Sequence, residues 1–328
     1  MILDDKIASG DIVVLDGATG TEIARLGGEM SGAAWCAVAN KTHPDIVRKV
    51  HEEYLLAGAD VITANTFATC RHVLDAAGLG DETVAINRRA VELAREARVN
   101  VAADRPVAVA GSLSTMVAWQ EGKLTPDPRY LPTADQAAAN YHEMAGALAD
   151  AGADLLLLEM MMDIERAGPL MEAAVATGLP VWVGLSCSVR ADGAVVGWDV
   201  NTEERAKMIE GMERAAPLPL TEIIDALKAI GGDVYGIMHS VIESTQPGLD
   251  VLAERWDGPL MAYPETLIYE AADDRRDVTV SEEGFAEACR GWVENGVQII
   301  GGCCGTTIEH IRAMVDRLPP AVGPRRAA

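Results

Sequence analysis

The chain has 328 residues, 49% of them hydrophobic, which is enough to bury a large core. Its formal net charge of -23, from 50 acidic against 27 basic residues, argues against a nucleic-acid backbone or an anionic membrane as partner. No stretch approaches the roughly 20 uncharged apolar residues that cross a bilayer, and the N-terminus lacks a basic segment followed by an apolar one. A cytoplasmic location is therefore expected, and six scattered cysteines read as core thiols plus a site, not as a disulfide framework.

Short β-branched runs alternate with helix-length amphipathic segments along the whole chain. In order, the runs are Ile12 to Asp16, Asp60 to Ala64, Val107 to Gly111, Asp154 to Glu159, Val181 to Ser186, Val234 to Met238, Pro259 to Ala262 and Val297 to Gly301. The helical segments Pro44 to Ala57, Thr83 to Val99, Thr133 to Ala149, Ile164 to Ala176, Thr221 to Ala229 and Glu282 to Glu294 fall between them. This order predicts a parallel sheet. At Ala57 to Asp60, Ala151 to Asp154 and Asn295 to Val297 a glycine ends a helix just before a buried strand begins. Eight such units predict an α/β fold, a closed (β/α)8 TIM barrel forming one domain over residues 1–328, with an open doubly wound sheet as the alternative. The long loops Ala18 to Thr42, Ser112 to Pro132 and Cys187 to Leu220 all follow strands. In a barrel they collect at the C-terminal face, where binding and catalytic groups sit.

Chemistry-bearing residues fall at the same strand ends. Asp16 closes the first run and Glu159 the fourth; a carboxylate there is costly to desolvate unless it meets a cation or several donors, so each reads as a partner for a substrate ammonium. The alternatives are a turn cap for Asp16 and a structural ion pair for Glu159. Asn65 and Ser112 end the second and third runs and could donate to a substrate carboxylate. The eighth run ends in Gly301-Gly302-Cys303-Cys304-Gly305-Thr306-Thr307. Neighbouring side chains on a regular strand point to opposite faces, so both sulfurs reach one ion only where the backbone bends, and flanking glycines permit that. A vicinal disulfide or two unrelated thiols is the alternative. His239 follows the sixth run directly and would complete a Cys2His set for Zn²⁺ with one open position; read alone, it is a structural or surface histidine.

These segments together resemble the homocysteine S-methyltransferase family nearly end to end. Leu15-Asp16-Gly17-Ala18-Thr19-Gly20-Thr21-Glu22 is similar to the family's opening segment, Ala57 to Phe67 to its second-strand segment, Gly111-Ser112-Leu113 to its third, and Gly301 to Thr307 to its last. The resemblance implies a barrel whose zinc holds a thiol acceptor, with a methyl group moved to it from a sulfonium or quaternary ammonium donor. It also implies that Asp16, with Gly17 beside it, and Glu159 hold the acceptor, and that Cys303 and Cys304 are two of the zinc ligands. The sixth-strand segment, which in the family ends in Asn-Cys, reads Met238-His239 here, and Glu159-Met160 replaces the common Glu-Thr pair.

Three thiolates leave a Zn²⁺ site with one negative charge, whereas two thiolates and a neutral imidazole leave it neutral. A histidine site should hold an acceptor thiolate more tightly and make it somewhat less nucleophilic. For the onium donor, aromatic faces offer cation–π attraction; Trp35, Phe67, Trp119, Trp198 and Tyr263 lie on loops or strand ends, and Trp35 and Tyr263 rank first because their segments also align with the family. The leading expectation is a zinc-dependent S-methyltransferase acting on homocysteine to give methionine. A demethylase with a different thiol or onium donor, and a metal- or thiol-binding protein without transferase activity, are the alternatives. The expected partners are small molecules, with no nucleic acid and no membrane, and the sequence is compatible with a homo-oligomer.

Overall fold

The computed structural model describes residues 2–120, 126–198, 217–267 and 279–325. Its strands are β1 (Val13–Val14), β2 (Val61–Ala64), β3 (Ala108–Ser114), β4 (Leu155–Met161), β5 (Val181–Leu185), β6 (Cys187–Val189), β7 (Val195–Gly197), β8 (Val234–Met238), β9 (Leu260–Tyr263) and β10 (Ile299–Ile300). Eight of them form one parallel sheet in the order β1-β10-β9-β8-β5-β4-β3-β2. A parallel bridge between Leu15 and Val61 brings β1 against β2 and closes the ring. The result is the (β/α)8 barrel expected from the sequence, and each of the eight β-branched runs supplies one of its strands.

The pleat sorts side chains by parity. Val13, Leu15, Ala108, Ala110, Leu155 and Leu157 point inward and pack with Trp182, Met261 and Ile299 in the barrel interior. Val14, Ile62, Val109, Leu156 and Leu158 point outward beneath the helices. Continuous apolar runs, not alternating ones, are what a sheet buried on both faces requires. A short helix, Asp4–Ala8, lies across the N-terminal end, where Leu3 joins the interior cluster and Gln298 Nε2 donates to the carbonyls of Ile7 and Asp11.

The outer helices follow the sequence pattern closely. Pro44–Leu56 starts with proline at its first turn, Ala134–Asp150 opens on a capping box of Thr133 and Gln136, and Asp163 caps Ile164–Val175. The junction glycines Gly58, Gly152 and Gly296 take φ values of 109°, 88° and 97°, a region open to glycine at little cost. Besides short helical turns in the loops and at the N-terminus, two longer helices go beyond the expected segments. Ile242–Ala253 carries Pro247 inside it, which masks its period, and Ile308–Arg317 begins immediately after the cysteine motif through a capping box of Thr307 and His310. The loop after β5 also holds the antiparallel β6–β7 hairpin, a structure the sequence reading treated as loop. The rest of that loop, residues 199–216, and the tip of the loop after β3, residues 121–125, lie outside the described residues.

Among the described residues, no helix is long and apolar enough to cross a membrane.

Candidate metal centre and substrate site

The sequence-derived site residues gather at the C-terminal face of the barrel. Three described residues other than glycine have positive φ, namely Trp35 at 45°, Met160 at 57° and His239 at 43°, and all three are on this face. Such conformations cost of the order of 1–3 kcal/mol each and persist only where the surroundings enforce them. Met160 lies where β4 shifts register against β5, between Leu158 and Met161, and it follows Glu159 into the barrel interior.

His239, Cys303 and Cys304 form a cluster whose potential ligand atoms all lie within 4.8 Å of one another. Cys303 Sγ is 3.6 Å from His239 Nδ1 and 3.9 Å from Cys304 Sγ. The backbone is bent as the glycine-flanked motif requires. Gly302 N donates to Asp16 O at 3.0 Å, Thr306 N to Cys303 O at 3.0 Å, and Gly305 sits at φ 80°. A side chain at Gly302 would drive a Cβ to 2.5 Å from Thr306 Cγ2. The hydrogen bond from Cys303 holds Cys304 well below the usual thiol range, with His239 adding to the effect, while Cys303 keeps its proton and is pushed up.

Asp16 is 2% exposed, and its carboxylate accepts from Thr63 N at 2.6 Å and Thr63 Oγ1 at 2.8 Å. Burial nevertheless pushes it up to about 7, against the pull of those hydrogen bonds. Gly17 beside it leaves room for Tyr54, whose hydroxyl would stand 2.8 Å from a Cβ there. Glu159 accepts a short hydrogen bond from Ser112 Oγ and is likewise pushed up to about 7, chiefly by burial and then by Asp16 and Cys304 nearby. Neither carboxylate meets a lysine or arginine among the described residues. The structural ion pair considered for Glu159 is thus absent there, and Ser112 serves the carboxylate directly.

Asn65 takes a place different from the substrate donor expected of it. Its amide donates to Cys36 O at 2.9 Å and Asn40 Oδ1 at 3.1 Å, and its Oδ1 accepts from Cys36 Sγ at 2.9 Å. Both amide hydrogens are engaged in fastening the loop after β1 to β2. Among the aromatics, Trp35 packs edge-on against Phe67, with centroids 5.9 Å apart. Tyr263 is buried in the barrel interior, and its hydroxyl has no hydrogen-bond partner among the described residues. Trp198, ranked lower from sequence, is the ring that stands beside His239, with centroids 5.7 Å apart.

Two contributors escaped the sequence reading. Thr63 anchors Asp16, and Glu265, buried with its Oε2 3.8 Å from His239 Nδ1, stands beside the cluster of His239, Cys303 and Cys304. Glu265 follows the seventh run as closely as Asp16 and Glu159 end theirs, so the same strand-end signal was available.

Comparison with known proteins identifies the family. A family model described as homocysteine S-methyltransferase matches residues 13–318. The homocysteine S-methyltransferase of Escherichia coli (strain K12) is 27% identical, covering 94% of this chain and 95% of its own length. The selenocysteine Se-methyltransferase of Brassica oleracea var. italica is 25% identical, over 94% of this chain and 90% of its own. In structure, the metallated form of the homocysteine methyltransferase MmuM from Escherichia coli superposes with a TM-score of 0.73 at 24% identity, over 97% of this chain and 100% of that one. The chain belongs to the homocysteine S-methyltransferase family, a family of methyltransferase enzymes.

Proposed function

We propose that the protein is a zinc-dependent thiol S-methyltransferase that moves a methyl group from a sulfonium or quaternary ammonium donor to homocysteine, giving methionine. The observation that carries this reading is the coincidence, at one barrel mouth, of a Cys2His cluster with two buried carboxylates that meet no lysine or arginine among the described residues. The donor set fits the metal. Tetrahedral Zn²⁺ with bonds of about 2.3 Å to sulfur and 2.05 Å to nitrogen separates two sulfurs by about 3.8 Å and sulfur from nitrogen by about 3.6 Å. The corresponding separations here are 3.9 and 3.6 Å.

His239, Cys303 and Cys304 would hold the ion, which when bound lowers the pKa of an acceptor thiol so that it reacts as a thiolate at neutral pH. Asp16 and Glu159 bind the acceptor's ammonium, which supplies the positive charge that burial has left them without. Ser112 orients Glu159 through its hydrogen bond, and Thr63 orients Asp16. The acceptor sulfur then attacks the donor methyl carbon in line; the new S–C bond forms as the bond to the onium centre breaks, and its electron pair leaves with the now neutral donor residue. Holding both partners at one rim removes most of the entropy cost of their meeting. The face of Trp198 beside His239 suits a cationic donor.

The same reading treats residues 1–328 as one domain, places the protein in the cytoplasm and assigns it small-molecule partners alone. Metal analysis alongside methyl transfer to homocysteine tests it, using the wild type, Cys303→Ala and His239→Ala. Stoichiometric zinc that is lost in both variants is expected, and full activity in metal-free protein would defeat the reading.

A further inference from the structure

The last residue of β9 and the three that follow it connect the two halves of the His239–Cys303–Cys304 cluster. On one side, His239 N donates to Tyr263 O and Glu265 N donates to Ser240 O, both at 3.2 Å. On the other, Cys303 N donates to Pro264 O and Thr266 N to Cys304 O, both at 2.9 Å. The segment Tyr263-Pro264-Glu265-Thr266 therefore sets the distance between the histidine and the cysteines, and Glu265 is the carboxylate it brings to them. That side chain is 0% exposed, with Oε2 3.8 Å from the same Nδ1 that faces Cys303 Sγ at 3.6 Å. One nitrogen of the imidazole thus faces both a thiol and a buried carboxylate.

A neutral imidazole leaves a two-thiolate zinc site without the net negative charge that a third cysteine would give it. A buried carboxylate this close to the ligand nitrogen restores that charge at the site.

We propose that Glu265 tunes the metal centre, supplying beside His239 Nδ1 the negative charge that a third thiolate would otherwise bring. The inference rests on the zinc reading above. It makes His239 and Glu265 a functional pair, so that acceptor nucleophilicity is retained with histidine in the ligand set.

The test measures zinc affinity by chelator competition and the absorption spectrum of the Co²⁺-loaded protein, whose ligand-field bands report the geometry around the ion. Glu265→Gln, which keeps size and hydrogen-bonding capacity but removes the charge, should weaken zinc binding by about 10- to 100-fold and shift the Co²⁺ bands. Glu265→Asp, which keeps the charge on a shorter arm, should lose less affinity and still shift the bands. In a His239→Cys background the Glu265→Gln change should shrink to about 2-fold or less, because the histidine it serves is gone. Unchanged affinity and a superimposable Co²⁺ spectrum in Glu265→Gln would overturn the proposal, as would an equal loss in both backgrounds, the mark of a merely structural role. Wild-type protein that takes up no metal would defeat the zinc reading and this inference together, whereas metal-binding wild type with an indifferent Glu265→Gln would defeat the inference alone.

Discussion

The two ends of the barrel use the same side chain in opposite ways. At the N-terminal end, Asp60 accepts from Lys6 Nζ at 2.6 Å and from Val14 N at 2.9 Å, with Arg105 3.5 Å away. Asp154 likewise accepts from Arg98 and from Val109 N, both at 2.8 Å. These carboxylates sit where strands begin, are neutralised by cations, and tie one strand to the next. At the C-terminal end, Asp16 and Glu159 sit where strands finish, accept hydrogen bonds from Thr63 and Ser112, and have no lysine or arginine opposite among the described residues. A buried carboxylate with its cation inside the fold serves stability, and one whose cation is missing is poised for a ligand.

Substitutions at the two ends should therefore separate activity from stability. The largest effect belongs to the metal cluster: Cys303→Ala should lower methyl transfer to homocysteine by about 1000-fold or more and abolish metal uptake, since removing the ion removes the means of forming the thiolate. Loss of activity without loss of metal would break the assignment. Glu159→Gln comes next. It should lower kcat/KM for the acceptor by about 10- to 100-fold, the worth of a charge-assisted contact, while the ligand-free protein melts at the same temperature or higher because an uncompensated buried charge has gone. Asp60→Asn should do the reverse. It leaves Lys6 and Arg105 without their partner and should lower the melting temperature by about 3–8 °C with kcat unchanged. If Glu159→Gln destabilises and Asp60→Asn inactivates, the division between the two ends does not hold.

Much of this division was legible in the sequence, because both the barrel and its polarity are written in local signals. The eight apolar runs, the glycines after helices and the position of the long loops predict which end carries the chemistry. The cysteine pair, His239 and the two strand-end carboxylates come together as expected. What was not legible depended on contacts between segments distant in sequence. Asn65 looks like an available strand-end amide until the loop carrying Cys36 and Asn40 folds over it. Trp198 and Trp35 are alike in composition and loop position, and only the folded chain puts the former ring beside His239. Glu265 was concealed for a related reason: its importance comes from a histidine 26 positions earlier, brought near by the β8–β9 pairing of Met238 with Tyr263.

The smallest expected effect tests the electrostatic half of the comparison directly. Asp16 stands at about 7 in the folded protein against an ordinary value of 3.8, so between about pH 4 and 7 the native state binds a proton that the unfolded chain has released. The sign follows. This contribution to stability is fully present below pH 4 and is lost as pH rises through 7, the reverse of a carboxylate held in an ion pair. Ligand-free wild type should lose roughly 2–5 °C in melting temperature between pH 5 and 8 relative to Asp16→Asn. Asparagine preserves both contacts, accepting from Thr63 N while its amide donates to the rotated Thr63 hydroxyl. Saturating homocysteine should narrow the gap, because its ammonium favours the ionised carboxylate and so stabilises the wild type more at pH 8 than at pH 5. A gap that opens toward acid instead, or that homocysteine leaves untouched, would mean that Asp16 already has its cation within the fold and belongs with Asp60.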